Sequence, residues 1–469
     1  MVPYSLPIIG HTIPYIIDAG KFLAECRKKY GDPFSIYVFG NVVTYAGHKT
    51  SFEIYKEHDI FDHDSILAET LIFPLAFKKA KGFDNLRFLA NAVHEQISEK
   101  VKVFLPRMHK EIKRGIDLYI GDCKEPKVFN NLGNTTISVM VRPMCNIIIG
   151  EEACQFEELV TSITTLLRQL GVLPLIPQVL SLIYPKLQLK AISLFLKFVW
   201  NPIDKPKKLF IKLMKPIVKE RIFQKEKLGN KYIMKDDLME YYLIKSDSAP
   251  NNVNDVNDEY MEYLFEQMTI AFFAAFFTTV KVVTEAIYEY GGRPELWKDI
   301  YEEQLMVYNQ KNGNLTIDDV HKMVKLDGLV KESLRQSFPK GDSYTFNTGA
   351  TIPKGRKVAV YAADSHFNPE YFENPEMFQP NRYLTLNSDG SVLNYTSAAK
   401  LEKYYVPFGA GKHACPGRIL AVTELKLCLH ELILKYHIKT KSGKVDPRWK
   451  LSDFWLAPIT DLVFENRKN

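Results

Sequence analysis

A chain of 469 residues with 46% hydrophobic content can bury a large core, and no Gly/Ser-rich linker or low-complexity tract divides it. Its net charge of +6 is too diffuse to point to nucleic acid and is compatible with an anionic membrane surface or an acidic redox partner. The six cysteines, Cys26, Cys123, Cys145, Cys154, Cys415 and Cys428, are scattered without a CxxC pair, which argues against a disulfide scaffold or structural zinc and for a reducing compartment. The expectation is a single large, mainly α domain over 1–469.

The chain opens MVPYSLPIIGH, with no signal-peptide pattern and no uninterrupted apolar run of bilayer length. Residues 19–30 have the spacing of a short amphipathic helix, and DPFSIYVFGNVVTYAG reads as two strands with a turn at Gly40-Asn41. Residues 61–81 are irregular and apolar. From 85 to 118 the pattern is helical, with a break expected at Pro106. Over 157–225, apolar helical runs are divided into short pieces by Pro174, Pro177, Pro185, Pro202 and Pro206. Lys186, Lys190, Lys197, Lys205, Lys207 and Lys208 surround Leu, Phe and Trp there, a composition suited to shallow membrane insertion; the alternative is a helix pair with a solvated basic face.

A polar stretch, SDSAPNNVNDVNDE, is expected to be mobile and leads into the longest helical pattern, from about Glu259 to Tyr290. Its apolar centre reads IAFFAAFFTTVKVV. Another helix starts at Pro294, and Thr316 caps a further one with Asp318 and Asp319 in its first turn. Glu332 and Arg335 lie three apart on one helical face, alone no more than a weak surface pair. A turn is expected at Pro353-Lys354-Gly355, then a proline-bounded segment with Phe378, Pro380, Arg382 and Tyr383. The C-terminal residues read as hairpin strands with Trp455-Leu456-Ala457-Pro458 at the tip.

The loop FGAGKHACPG sets Cys415 among glycines and a proline, directly before a helical pattern running from Arg418 to about Tyr436. Glycines allow tight turns and close approach to a flat ligand, and a helix N-terminus offers amide donors to a thiolate. Haem ligated by cysteine thiolate is one chemistry that needs such a place, because the thiolate pushes electron density onto iron and favours O–O cleavage.

Phe408, Gly409, Gly411, His413, Cys415, Pro416 and Gly417 together closely resemble the haem-binding signature of the cytochrome P-450 family. The ExxR pair Glu332/Arg335 and the FxPxRY segment ending in Arg382 and Tyr383 resemble two further family motifs, in the same order. The resemblance implies an α+β fold, mainly α with small sheets and triangular in outline, binding haem b through Cys415. It implies that Glu332, Arg335 and Arg382 form a structural network. VPYSLPIIGH resembles the hinge that follows the membrane anchor in microsomal members, and the Met directly before it implies that such an anchor has been removed.

In the family's central helix, small residues, an acid and a threonine cross the haem; here these positions are Ala274, Ala275, Phe277 and Thr278. Phenylalanine cannot resupply the protons needed to split dioxygen, so another group or a water chain does so, or the oxygen arrives already reduced. The usual Trp and Arg that hold a haem propionate are missing, leaving Arg87, His94 and His413 as candidates. Leu71, Ile72, Phe73, Phe277, Tyr344 and Leu456 are the candidate pocket residues, apolar or aromatic. The implied activity is monooxygenation of a sterol, steroid, terpenoid or fatty-acid-like substrate. Electrons would come from NADPH-cytochrome P-450 reductase, with cytochrome b5 as an optional donor, to a monomer on the cytoplasmic face of the endoplasmic reticulum. The alternatives are a hydroperoxide or endoperoxide isomerase, a dehydratase or a peroxygenase needing no reductase, and a non-catalytic haem-binding protein.

Overall fold

The computed structural model describes residues 1–56, 77, 86–173, 179–184, 187–337, 356–389, 391–451, 454–456 and 458–467. In chain order the main elements are α1 (Thr12–Tyr30), β1 (Phe34–Val38), β2 (Asn41–Ala46), α2 (Ser51–Lys56), α3 (Leu86–Gln96), α4 (Val101–Tyr119), β3 (Lys127–Asn130), α5 (Leu132–Ile148) and α6 (Glu157–Val172). They continue with α7 (Leu187–Phe198), α8 (Asp204–Leu228), α9 (Leu238–Lys245), α10 (Asp258–Gly291), α11 (Pro294–Lys311), α12 (Ile317–Lys322) and α13 (Val324–Ser337). The remainder are β4 (Lys357–Val360), α14 (Ala362–His366), β5 (Leu384–Leu386), β6 (Val392–Tyr395), α15 (Arg418–Lys435), β7 (Tyr436–Thr440), β8 (Trp449–Leu451), β9 (Phe454–Leu456) and β10 (Asp461–Asn466). Helices dominate, and the strands form separate small sheets, β1-β2-β4, β3-β10-β7, β5-β6 and β8-β9, as the α+β expectation requires.

The long central pattern is α10, 34 residues, capped by the Asn257 side chain, which accepts from the Tyr260 amide. Its most apolar 18-residue window has a mean hydropathy of 1.7, enough by composition to cross a bilayer, yet 67% of that window is buried inside the fold. Hydrophobic all round, it is the core helix that α5, α6, α8, α13 and α15 pack against. The polar stretch before it is not featureless: Val253–Asp255 forms a 3-10 turn closed by a reciprocal Asn252/Asp255 capping box. Thr316 caps α12 as expected, by accepting from the Asp319 amide.

Four local readings need correction. The first hairpin turns at Phe39-Gly40, both with positive φ, because Val38 pairs with Asn41 and a two-residue turn of that hand matches the strand twist. Pro106 lies inside α4; the interruption comes earlier, at the 3-10 turn Ser98–Lys100, and the one missing amide is tolerated because buried Phe104, Leu105 and Met108 pin the helix around it. Pro206 likewise sits in the first turn of α8, where its amide would have no intrahelical partner. In the C-terminal hairpin, Trp449 pairs with Leu456 and Leu451 with Phe454, so the turn falls between Leu451 and Phe454 and Leu456 is at the open end.

One buried ionic cluster ties the segment after α13 together. Glu332 and Arg335 both have fully buried side chains and form a two-pronged pair, Nε to Oε2 at 2.9 Å and Nη2 to Oε1 at 2.7 Å. Arg335 also donates to the carbonyls of His366 (2.6 Å) and Pro375 (2.8 Å). Arg382 Nε reaches Glu332 at 3.2 Å while its other nitrogens hold the Glu373 and Met377 carbonyls, and the Tyr383 hydroxyl donates to Glu332 at 2.7 Å. Burial pushes the Glu332 carboxyl up, but Arg335 and the other donors outweigh it and hold the group below the ordinary carboxylate range. Arg335→Ala would remove the two-pronged partner of a buried carboxylate and strand two carbonyls, a cost of about 3–5 kcal/mol. Expression of this variant should yield little folded, haem-loaded protein, measured as the haem-to-protein absorbance ratio; a fully loaded variant would count against a structural role.

Candidate active site

The Cys415 loop is shaped by its glycines. Gly409 and Gly411 have φ of +67° and +62°, and a Cβ on Gly411 would lie 2.3 Å from the Tyr55 carbonyl oxygen, so a side chain there is excluded by backbone. A 3-10 turn, Gly411–His413, brings the chain back so that the Cys415 amide donates to the Phe408 carbonyl at 2.8 Å. Gly417 caps α15, whose first amides point back toward the cysteine. The Ser98 hydroxyl donates to the Pro416 carbonyl at 2.5 Å, and Arg418 donates to the Cys415 carbonyl at 3.2 Å. Burial pushes the Cys415 thiol up, opposed by the Gly417 amide and the Arg418 charge. Those two influences favour the thiolate a metal would bind.

The ionic cluster reaches this loop through His366. While the His366 carbonyl accepts from Arg335, its Nε2 accepts from the Val406 amide at 3.0 Å, two residues before Phe408. Being fully buried, the imidazole is pushed down to about 4 and is neutral at ordinary pH, as an acceptor must be. Because the folded-state value lies below the ordinary 6.5, the unfolded chain binds the extra proton first, and stability falls as pH drops from 6.5 toward 4. Urea unfolding across this window should show a loss of up to about 3 kcal/mol attributable to His366. Variant His366→Asn, which cannot titrate, should flatten that part of the slope.

Across the core, α10 carries an unusual exposure pattern. Its flanking turns are buried, yet Ala274 and Thr278 are exposed and Phe273, Ala275, Phe277 and Lys281 half-buried. Positions 274, 278 and 281 share one helical face, so the midsection of the core helix opens onto internal space. The Thr278 hydroxyl makes only a long bond of 3.4 Å to the Ala274 carbonyl, whereas Thr279 is committed to the Ala275 carbonyl at 2.7 Å. Phe277 does not stand over this opening unsupported. Its ring fills a notch in α6, where a Cβ on Gly171 would meet the Phe277 Cε1 at 2.2 Å, and packs on Phe273 with ring centroids 4.5 Å apart.

The other expected residues are dispersed. His413 is exposed on the 3-10 turn. His94 is exposed and faces Glu99 at 3.5 Å, and Arg87 is exposed in the first turn of α3; Val93 is the α3 residue that approaches Gly417, 3.7 Å from a Cβ built there. Leu71, Ile72, Phe73 and Tyr344 lie outside the described residues, as do 353–355, and for Leu456 only the strand pairing is described. Sequence reasoning missed His366, Ser98 and Gly171, none of which has a local pattern to mark it. It also passed over Lys281, whose signal was available as a lone charge in an apolar run.

A glycine-rich turn closed to any side chain at Gly411, a cysteine at a helix N-terminus, and a core helix exposed at Ala274 and Thr278 fit a flat, iron-bearing macrocycle. The family model described as cytochrome P-450 matches residues 1–461. The chain belongs to the cytochrome P-450 family. Its cofactor is accordingly haem b held through a thiolate, and its class is the monooxygenase type of oxidoreductase. The chain is 25% identical over 508 aligned positions to the lanosterol 14-alpha demethylase of Candida tropicalis, covering 100% of this chain and 90% of that protein. It is 27% identical to cytochrome P-450 monooxygenase 71 of Postia placenta, covering 50% of this chain and 47% of the relative. Against the fumitremorgin C monooxygenase of Neosartorya fischeri it is 34% identical over 36% of this chain and 34% of that one. The chain thus spans about half or less of two of these relatives. If Cys415 is the iron ligand, the reduced, carbon monoxide-bound protein should show the strongly red-shifted band of thiolate ligation. Cys415→Ala should lose that band even where haem remains; a variant keeping it would refute the assignment.

Proposed function

We propose that this cytochrome P-450 inserts oxygen into a hydrophobic, sterol-, steroid-, terpenoid- or fatty-acid-like molecule, using O₂ and electrons from an NADPH-dependent reductase. The observation that carries this reading is the opening of α10 at Ala274 and Thr278, apolar apart from one hydroxyl, on the helix that packs against both α13 and the Cys415 helix α15. Bound at Cys415, haem supplies the redox chemistry. Around it, the chain's own residues do three things: the glycine loop seats the ring, Ala274 leaves room on the distal side, and the weakly committed Thr278 hydroxyl orients water or passes a proton. The aromatic wall of Phe273 and Phe277 excludes water and offers an apolar substrate surface. The full-length match to a lanosterol demethylase supports a sterol as the first ligand to test.

A second reading, rearrangement of a hydroperoxide without reductase, is favoured by one observation. The position beside Thr278 holds Phe277 seated on Gly171, so it supplies no proton. The deciding experiment measures product per NADPH with a reductase over a panel of lanosterol, lauric acid and farnesol, alongside turnover of a fatty-acid hydroperoxide with no reductase. NADPH-dependent product supports monooxygenation; hydroperoxide turnover with no NADPH-dependent product from any lipid supports the rearrangement.

Placement on the cytoplasmic face of the endoplasmic reticulum is part of the proposal. Ile183, Phe198 and Val199 are 77%, 71% and 73% exposed, with Lys190 over the Tyr184 ring and Lys197 over Phe198. Ile8, Ile13 and Ile17 are also exposed, and the hairpin tip at Gly40 abuts the Ser181 carbonyl between these two sets. Apolar side chains ringed by lysines suit an anionic lipid surface. Flotation with phosphatidylserine vesicles should show binding that weakens with salt but leaves an apolar remainder; no binding at low salt would favour a solvated face.

A further inference from the structure

Monooxygenation consumes two protons for each substrate molecule: RH + O₂ + 2e⁻ + 2H⁺ gives ROH + H₂O. The electrons come from NADPH through a reductase, but the protons must cross a buried helix to the Thr278 face of the pocket. Phe277 cannot carry them, and its ring is turned into the Gly171 notch.

One face of α10 nevertheless bears charge at regular intervals. Lys281, Glu285 and Glu289 lie four residues apart, with Arg293 just beyond the end of the helix, and Lys281 is three residues after Thr278, so the series begins one turn from the exposed hydroxyl. Lys281 Nζ lies 3.3 Å from Glu285 Oε1 and donates to the Ser337 carbonyl at 2.6 Å; the Ser337 hydroxyl donates in turn to Glu285 Oε2. Glu285 is fully buried. Lys281 is 22% exposed and lies on the same helical face as Ala274 and Thr278, whereas every residue from Val282 to Gly291 is buried. Farther along, Glu289 pairs with Arg448 at 2.9 Å and with Arg293, and Arg293 is 20% exposed at the end of the helix.

We propose that Lys281 delivers protons to the Thr278 side of the pocket and is recharged from the Glu285/Ser337 pair behind it, replacing the acid that Phe277 displaced. In each transfer an ammonium N–H bond breaks and an O–H bond forms on the Thr278 hydroxyl or a water beside it. The neutral amine then takes a proton from the Glu285 carboxyl, and the carboxylate left behind takes one from solvent water, the flanking arginines Arg448 and Arg293 keeping their own protons. Burial, reinforced by the Arg448 charge, holds the Lys281 ammonium below the ordinary lysine value despite Glu285, which makes it a readier donor than a surface lysine. Among the described residues, the charged groups facing it are Glu285 on its own helix and Arg448 in the segment before β8, with Ser337 of α13 as a neutral hydrogen-bond partner. A purely structural lysine, tethering α10 to the last carbonyl of α13, would need only its charge and its hydrogen bonds.

This inference rests on the monooxygenase reading, and the test separates the two. Lys281→Met and Lys281→Arg are compared with the native holoenzyme, using the panel lipid that gives most product and confirming haem loading by the carbon monoxide band. Both variants should drop product per NADPH by at least about tenfold, with hydrogen peroxide making up the difference and a changed solvent isotope effect and pH profile. Turnover driven by added peroxide, which brings its own protons, should be nearly unchanged. Arginine keeps the charge and the acceptors but holds its proton, so recovery of coupling in Lys281→Arg would reduce Lys281 to a structural tether and overturn the proposal. If Lys281→Met loads no haem, Lys281→Arg alone decides. Independently of turnover, reductive methylation of the haem-loaded native protein, mapped by mass spectrometry, should modify Lys281 and be slowed several-fold by 4-phenylimidazole in the pocket. Equal labelling with and without it would place Lys281 off the pocket and refute the idea. No NADPH-dependent product from the native protein would overturn the monooxygenase reading together with this one, whereas equal coupling in native and Lys281→Met would overturn this one alone.

Discussion

A carboxylate and a guanidinium with no solvent exposure at either end, Glu332 and Arg335, are the interaction on which the active site depends. Burying both charges costs several kcal/mol apiece, and an apolar pair of the same volume could be as stable. What an apolar pair could not do is hold carbonyls. Arg335 and Arg382 between them fix that of His366, at the end of α14, and those of Glu373, Pro375 and Met377 in the irregular chain that follows. His366 passes this order to Val406 and so to the loop that ends in Cys415. The position of Cys415 in its glycine-rich turn is thereby set by a rigid donor fork some 80 residues earlier in the chain, a job suited to arginine's planar geometry and not to lysine's point charge.

The central helix combines two requirements that ordinarily exclude each other. As the core of the molecule it must be apolar on all sides, and most of α10 is. In the proposed monooxygenase it must also bring protons and leave a space. The space comes from Ala274 and the unburdened Thr278. Beyond Thr278, charge on this helix is confined to a single stripe, where each buried group is answered: Lys281 by Glu285, Glu285 by Ser337, Glu289 by Arg448 and Arg293. Desolvation is tolerable because no member of the stripe is left unpaired. On the adjoining face, Phe277 and Gly171 fit as ring and notch, so a residue that looked in sequence like a damaged relay is, in three dimensions, part of a dry aromatic wall.

Exposure therefore means opposite things in two parts of this protein. At Ala274, Thr278 and Lys281 it falls in the middle of a helix whose flanking turns are buried, the place the proposed function gives to the pocket. At Ile183, Phe198 and Val199 it marks an outer surface where apolar groups stand clear of the core among lysines. Phe198 ends α7, and Ile183 and Val199 lie on either side of that helix in the chain.

Much of this was legible in the chain itself. FGAGKHACPG, the Glu332/Arg335 spacing and the Phe378 to Tyr383 segment are local, and their chemistry depends on backbone turns and on neighbours three residues apart, which sequence states directly. Helix ends were legible for the same reason: Thr316, Pro294 and the stop before Tyr436 act within a turn. Pro106 and Pro206 misled because a proline's local penalty is about 3 kcal/mol at most of a helix interior and burial of the surrounding side chains, or a place in the first turn, offsets or removes it. Only the tertiary structure could decide that His366 connects Arg335 to the cysteine loop, that Gly171 receives Phe277, and that Lys281 meets the end of α13. Each of those joins residues some 30 to 100 positions apart, where what matters is which faces pack together, and no periodicity in a single chain records the partner across the gap.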